Sequence, residues 1–222
     1  MKSSKLYHTK LWRRFADFVG ETIIFKRKNW ITKSEYNDAL KVLKKGDIIL
    51  VSCYRTIMGF LTKGMLLNHA IYYAGNKKVI HSLSYGIRYD TLEWLCNYYD
   101  GFVILRMKTP KKSLIEKVDK FIKDRVGIDY NYPLSPNNGR FTCTQLVNEA
   151  YNNAGYKTNL RSFKKKSEFI GRYFPFFTLL LPFNVLKHGN FKVIYYSDIF
   201  NITEKRISLK SEKSFIPLSR EL

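Results

Sequence analysis

The sequence predicts a single α+β domain in which an antiparallel sheet packs against helices. Three observations lead there. The β-rich runs are short and joined by turn residues, and helix-patterned segments fall between them without regular βαβ alternation. A chain of 222 residues with 45% hydrophobic content buries one sizeable core. No internal repeat or low-complexity linker divides it. The expected organisation is a basic N-terminal arm over 1–31, a main domain over 32–200 and a polar tail over 201–222.

In the arm, Leu11, Phe15, Phe18 and Val19 recur at helical spacing. That pattern fits a helix packed on the domain and equally an amphipathic arm that docks on a membrane or partner. Thr32-Lys33-Ser34-Glu35 reads as a capping box, followed by Tyr36, Ala39, Leu40 and Leu43 on one helical face and by Gly46 as the stop. Ile48-Ile49-Leu50-Val51 reads as a buried strand. Asn68 to Tyr73 and Lys78 to Ser82 read as a hairpin around Ala74-Gly75-Asn76-Lys77.

Asp90-Thr91-Leu92-Glu93 marks a capped helix start, and Phe102 to Leu105 a further strand. Thr109-Pro110 opens a helix whose apolar face is Leu114, Ile115, Val118, Phe121 and Ile122, closed by Gly127. Pro133, Pro136, Asn137, Asn138 and Gly139 give the next stretch turn chemistry. Cys143 then opens a helix with Leu146, Val147, Ala150 and Tyr151 on one face, and Phe191 to Tyr196 reads as a strand. Phe174 to Leu186, interrupted by Pro175 and Pro182, is shorter than the roughly 20 residues of a spanning helix. It reads as a cover over the core or as an apolar patch rimmed by lysines.

Thirty-nine Lys and Arg against 18 Asp and Glu give a formal charge of +21, which calls for a polyanionic partner. Nucleic acid, anionic lipid and anionic cell-wall polymer meet that demand equally, although no sequence-specific nucleic-acid signature accompanies the charge. Cys53, Cys96 and Cys143 make neither a disulfide framework nor a zinc-ligand spacing, so no metal site and no cofactor is expected. The N-terminus lacks the apolar core of a secretory signal, and a cytoplasmic or virion-associated protein is the expectation.

A thiol becomes nucleophilic as thiolate, and the start of a helix favours negative charge and supplies amides for an oxyanion. Cys143 sits at such a start, whereas Cys53 and Cys96 lie among apolar neighbours and read as core. A base and an orienting group complete such a site. His69 lies in an otherwise apolar strand, and a turn centred on Gly75 sets His81 directly opposite it, about 5 Å away at Cβ.

The sequence resembles the permuted NlpC/P60 papain-like cysteine hydrolases of the YiiX/YebB kind. The matching residues are Leu43-Lys44-Lys45-Gly46-Asp47-Ile48-Ile49, Asn68-His69-Ala70-Ile71-Tyr72-Tyr73, Lys78-Val79-Ile80-His81-Ser82, Gly127-Ile128-Asp129-Tyr130 and Phe141-Thr142-Cys143-Thr144-Gln145-Leu146-Val147. The resemblance implies the circularly permuted papain-like fold, with the histidine ahead of the cysteine in the chain and the third polar residue on the next strand. It departs from the family pattern at His81, Gln145 and Asn131, where glutamate, glutamate and aspartate are usual.

The resemblance implies a Cys143–His69–His81 triad that opens an amide or ester bond of a peptide, cell-wall or lipid-linked substrate through an acyl-enzyme. It also implies places for Tyr130 and Thr142 beside the oxyanion or substrate, while a core role for Tyr130 stays open. The alternative function is a virion- or membrane-associated protein that keeps the hydrolase fold and binds polyanions through its basic surface.

Overall fold

The computed structural model describes residues 14, 18, 22, 30–54, 56–57, 67–131, 139–158 and 190–202, and the backbone of 162–164, 178–180 and 207–209. Most of the basic arm, most of Phe174 to Leu186 and most of the polar tail, and with them the expectations attached to those segments, lie outside the described residues.

Helix α1 (Lys33–Val42) begins at the expected capping box: Glu35 N–H donates to Thr32 Oγ1 (3.2 Å) and Thr32 N–H to Glu35 Oε2 (2.7 Å). Strands β1 (Ile48–Ser52), β2 (His69–Gly75), β3 (Lys78–Leu83) and β4 (Gly86–Thr91) follow. Helix α2 (Leu92–Tyr98) leads to β5 (Gly101–Met107), α3 (Lys112–Lys123) and α4 (Cys143–Asn153). The short strands β6 (Ser162–Lys164) and β7 (Thr178–Leu180) pair with each other, β8 (Phe191–Tyr196) joins the main sheet, and β9 (Phe200–Ile202) pairs with β10 (Ile207–Leu209).

The main sheet is antiparallel with strand order β4-β3-β2-β1-β5-β8. Its central strand β1 is buried along its whole length, which explains an apolar run without alternation. One face carries Leu50, Ala70, Tyr72, Ile80 and Leu105 against Val118 and Ile122 of α3 and Leu146, Val147, Ala150 and Tyr151 of α4. The other carries Ile49, Val51, Ile71, Val79 and Ile104 against Ala39 of α1 and Leu92 and Leu95 of α2. Two helical layers thus sandwich the sheet, an α+β architecture as the sequence predicts.

Two polar anchors fix the layers. Asp47, just before β1, accepts the Lys44 amide (2.8 Å) and a two-pronged contact from Arg106 of β5, Nε to Oδ1 at 2.7 Å and Nη2 to Oδ2 at 2.6 Å. Tyr151 of α4 donates its hydroxyl to the Gly46 carbonyl, so α4 is tied to the turn that leads into β1.

The β2–β3 hairpin differs from the expected one in a way that shapes the site. Its turn is Asn76-Lys77, both at positive φ (51° and 59°), and Tyr72 pairs with Ile80, Tyr73 with Val79 and Gly75 with Lys78. The ladder ends at Tyr72 and Ile80 although β2 runs on to His69 and β3 to Leu83. The start of α4 closes on that splayed end: Ser82 Oγ donates to the Phe141 carbonyl at 2.7 Å.

Candidate active site

Cys143 is the first residue of α4 and is buried, with 6% of its surface exposed. The capping box of this helix holds it in place. Gln145 N–H donates to Thr142 Oγ1 (3.2 Å), and Thr142 N–H donates to Gln145 Oε1 (2.9 Å). The same Gln145 oxygen accepts from Asn131 Nδ2 at 2.9 Å, so the two departures from the family pattern on this side of the site meet in one hydrogen bond.

The helix start does not by itself lower the thiol pKa, as the sequence led us to expect. Burial pushes the Cys143 thiol up, and hydrogen bonds from the Ala70 backbone, from the Thr144 hydroxyl and amide and from its own amide offset that only in part. The Ala70 contact places the sulfur against the end of β2 that pairs with β1 but no longer with β3, one residue from His69.

His69 and His81 are brought together, with His69 Nε2 3.0 Å from His81 Nδ1. They are not the directly opposite pair of the sequence expectation. The ladder Tyr72↔Ile80, carried onward, sets His81 beside Ile71 and His69 two residues farther along the same face. A two-residue offset preserves the face where a one-residue slip would lose it. Tyr99, just after α2, stacks on the His69 ring (centroids 5.8 Å, 14°), and Trp94 of α2 meets His81 edge-on at 5.6 Å.

Burial holds His69 well below the usual histidine pKa, and the neighbouring His81 adds to that effect. Burial lowers His81 as well, against the opposing pull of Asp90. The pair therefore rests neutral near pH 7.

Sequence reasoning missed Asp90. Its Oδ2 lies 2.8 Å from His81 Nε2 and 2.5 Å from Arg88 Nε. Asp90 read as part of a helix cap, but the cap is Thr91, which accepts the Trp94 amide at 3.0 Å, while Asp90 still belongs to β4. The signal was the period-2 pattern of Arg88 and Asp90 on a strand that sequence analysis did not assign. A carboxylate accepts hydrogen bonds only, so the His81 proton sits on Nε2 and its Nδ1 accepts from His69 Nε2–H. His69 Nδ1 is then the unprotonated nitrogen of the pair.

Tyr130 is half-buried and bridges to Phe141 two residues before Cys143, and Thr142 is the helix cap. Cys53, buried, and Cys96, half-buried, are in no disulfide, and burial pushes Cys96 up to about 12. His8 and His188 lie outside the described residues.

Residues 42–195 match the family of permuted papain-like amidase enzymes, YaeF/YiiX. The chain belongs to the permuted papain-like amidase family. Membership gives it the cysteine-hydrolase type of function. Among solved structures, the chain is similar to the metalloprotein YiiX from Escherichia coli O157:H7, with TM-score 0.56, 17% sequence identity, and coverage of 69% of this chain and 97% of that one. At that identity the likeness shows the fold. No curated protein matches.

Proposed function

We propose that this permuted papain-like amidase is a thiol hydrolase of an amide bond, or of an ester. Cys143 is the nucleophile, His69 its base and His81 the group that orients the base. The observation that carries the reading is the His69–His81 contact at 3.0 Å together with the hydrogen bond between Cys143 and the backbone of Ala70, the residue after His69. In the reaction, His69 Nδ1 takes the thiol proton as the sulfur attacks the carbonyl carbon. The protonated His69 then delivers that proton to the leaving nitrogen or oxygen, and the acyl group stays on sulfur. Water, deprotonated by His69, attacks the thioester and releases the acid and the free thiol. The Cys143 and Thr144 amides at the helix start are the donors to the oxyanion, with Thr142 and Tyr130 lining the approach. The substrates this reading favours are peptide, cell-wall or lipid-linked acyl groups.

Three carboxylate- or imidazole-bearing groups in a row raise the question of a metal, given that YiiX is described as a metalloprotein. The donor set does not fit one. His69, His81 and Asp90 are hydrogen-bonded head to tail, which leaves only the Nδ1 lone pair of His69 open on the two imidazoles, and among the described residues no three His, Cys, Asp or Glu converge on a common point.

The test is acylation of the intact chain by p-nitrophenyl acetate, read by peptide mass. The acyl group is expected on Cys143 and not on Cys53 or Cys96, and His69→Ala is expected to slow its arrival about 100-fold or more. Equal labelling of the three thiols, or indifference to His69, overturns the reading.

A second reading, a surface for polyanions, has its own observation. Lys108, Lys111, Lys112, Lys157 and Lys192 are exposed, and none pairs with a described acidic residue. Asn190 joins two of them: its carbonyl accepts the Lys108 amide (3.0 Å) and its Nδ2 donates to the Lys157 carbonyl (2.8 Å). This cluster lies at the Met107 end of β5, whereas His69 lies level with Phe102 at its start. Binding of vesicles rich in anionic lipid is expected to fall in Lys108→Glu/Lys157→Glu with acylation unchanged; unchanged binding sinks this reading.

A further inference from the structure

Asp90 stands at the outer end of the histidine pair on the edge strand β4, with His81 on one side and Arg88 on the other. We infer that Asp90 is the positioning residue of the site: acting through His81, it fixes which nitrogen of His69 is free and supplies the negative charge that a neutral orienting histidine lacks. This rests on the thiol-hydrolase reading above.

The argument is one of counting protons. A neutral imidazole carries one N–H. Asp90 can only accept, so His81 must donate from Nε2, accept at Nδ1, and thereby leave the His69 proton on Nε2 and the His69 lone pair on Nδ1. Without the carboxylate, His81 has no reason to prefer that tautomer. In its other tautomer it donates from Nδ1 to His69 Nε2, which moves the His69 proton onto Nδ1 and abolishes the base.

Charge follows the same line. Once His69 has taken the thiol proton it is a cation inside the protein, and a neutral His81 gives it only a dipole. With Asp90 behind it, a carboxylate shared between Arg88 and His81 offers the cation a counter-charge through one imidazole. Charge in a buried site is costly unless paired, so this pairing favours the state in which Cys143 is a thiolate.

Arg88 aims the carboxylate. Its guanidinium is 4.3 Å from the Tyr85 ring centre and 5.3 Å from that of Trp94, which itself packs on His81. The titratable or charged groups facing the pair among the described residues are His69 from β2, Arg88 from β4, Tyr85 from the β3–β4 turn, Tyr99 after α2 and Cys143 from α4.

The deciding experiment compares the full-length chain with Asp90→Asn, Asp90→Ala, His81→Glu and His81→Glu/Asp90→Asn. Acylation by p-nitrophenyl acetate is followed from about pH 5 to about pH 9, and the histidine tautomers are read by ¹⁵N NMR at neutral pH. Asp90→Asn, which keeps the shape and removes the charge, is expected to slow acylation at least about 10-fold at unchanged KM and to move the acid limb of the profile to lower pH. In the His81→Glu background the sign reverses, because Asp90 then faces a second carboxylate and its neutralisation speeds the reaction. A loss with Asp90→Asn that is the same with either residue at 81, or no loss at all, overturns the inference.

The NMR arm stands even if the chain proves not to form an acyl-enzyme. Both histidines are expected as Nε2–H tautomers, and Asp90→Ala is expected to release His81 into a mixture. Nδ1–H tautomers in the unaltered protein, or spectra unmoved by Asp90→Ala, refute the role of Asp90, whereas a wild type with correct tautomers but no acylation refutes the hydrolase reading alone.

Discussion

His69 Nε2 meets His81 Nδ1 at 3.0 Å across a hairpin whose ladder has already ended, and both rings are buried and held neutral. A histidine with a folded pKa below its unfolded value binds fewer protons in the native state. Stability is therefore complete above the unfolded value, near pH 6.5, and is lost as pH falls below it. Urea denaturation at about pH 8 and about pH 5 is expected to show lower stability at the acid end, with His69→Gln flattening the difference; a flat profile in the unaltered chain contradicts the burial of neutral imidazoles. Asp90, which His81 and Arg88 hold below the ordinary carboxylate range against the effect of burial, adds a separate loss below about pH 4.

The Asp47–Arg106 contact bears on the frame of the sheet. Asp47 is 1% exposed, and its removal leaves Arg106 with no carboxylate and the Lys44 amide with no acceptor. Asp47→Ala is expected to cost about 3–5 kcal/mol in chemical denaturation, more than Asp47→Ala adds once Arg106→Met is already in place. A cost below about 1 kcal/mol is inconsistent with a buried two-pronged pair.

Gly101 admits no side chain. A Cβ there would lie 2.4 Å from Ile199 Cδ1 and 2.9 Å from Phe200 Cε2. Gly101→Ala is expected to lose about 1–3 kcal/mol, and Ile199→Val, which removes the nearest atom, to return part of it. Thermal melts of the two single variants and the double variant decide this; additive losses would show that the contact is not the cause.

Thr142 caps the helix that carries Cys143. Thr142→Ala is expected to cost about 1 kcal/mol and to slow acylation beyond that loss, while Thr142→Ser restores both. If serine fails to rescue, the hydroxyl of Thr142 is not what holds the helix start.

Much of this architecture is legible in the residues. Ile48 to Val51 shows no alternation because both faces of β1 are covered, and the apolar faces of α3 and α4 follow the 3.6-residue period. The capping box at Thr32 forms as written. What escaped depends on tertiary placement. Local turn rules placed His69 two residues too close to His81, because the turn falls on Asn76-Lys77 rather than on Gly75 and the register shifts between Tyr73 and Gly75. Asp90 was hidden by its neighbour Thr91, since either residue type suits a helix cap and only the length of β4 decides between them. The thiol pKa was misjudged because a helix dipole is a property of sequence position, whereas burial is a property of the assembled core.

The histidines and Asp90 all lie on one meander, β2 through β4, whose strands are sequence neighbours, whereas Cys143 arrives from a helix after three intervening elements. His69, His81 and Asp90 thus come from one short contiguous stretch, and it meets the thiol helix at two points, Ser82 on the Phe141 carbonyl and the Ala70 backbone on Cys143.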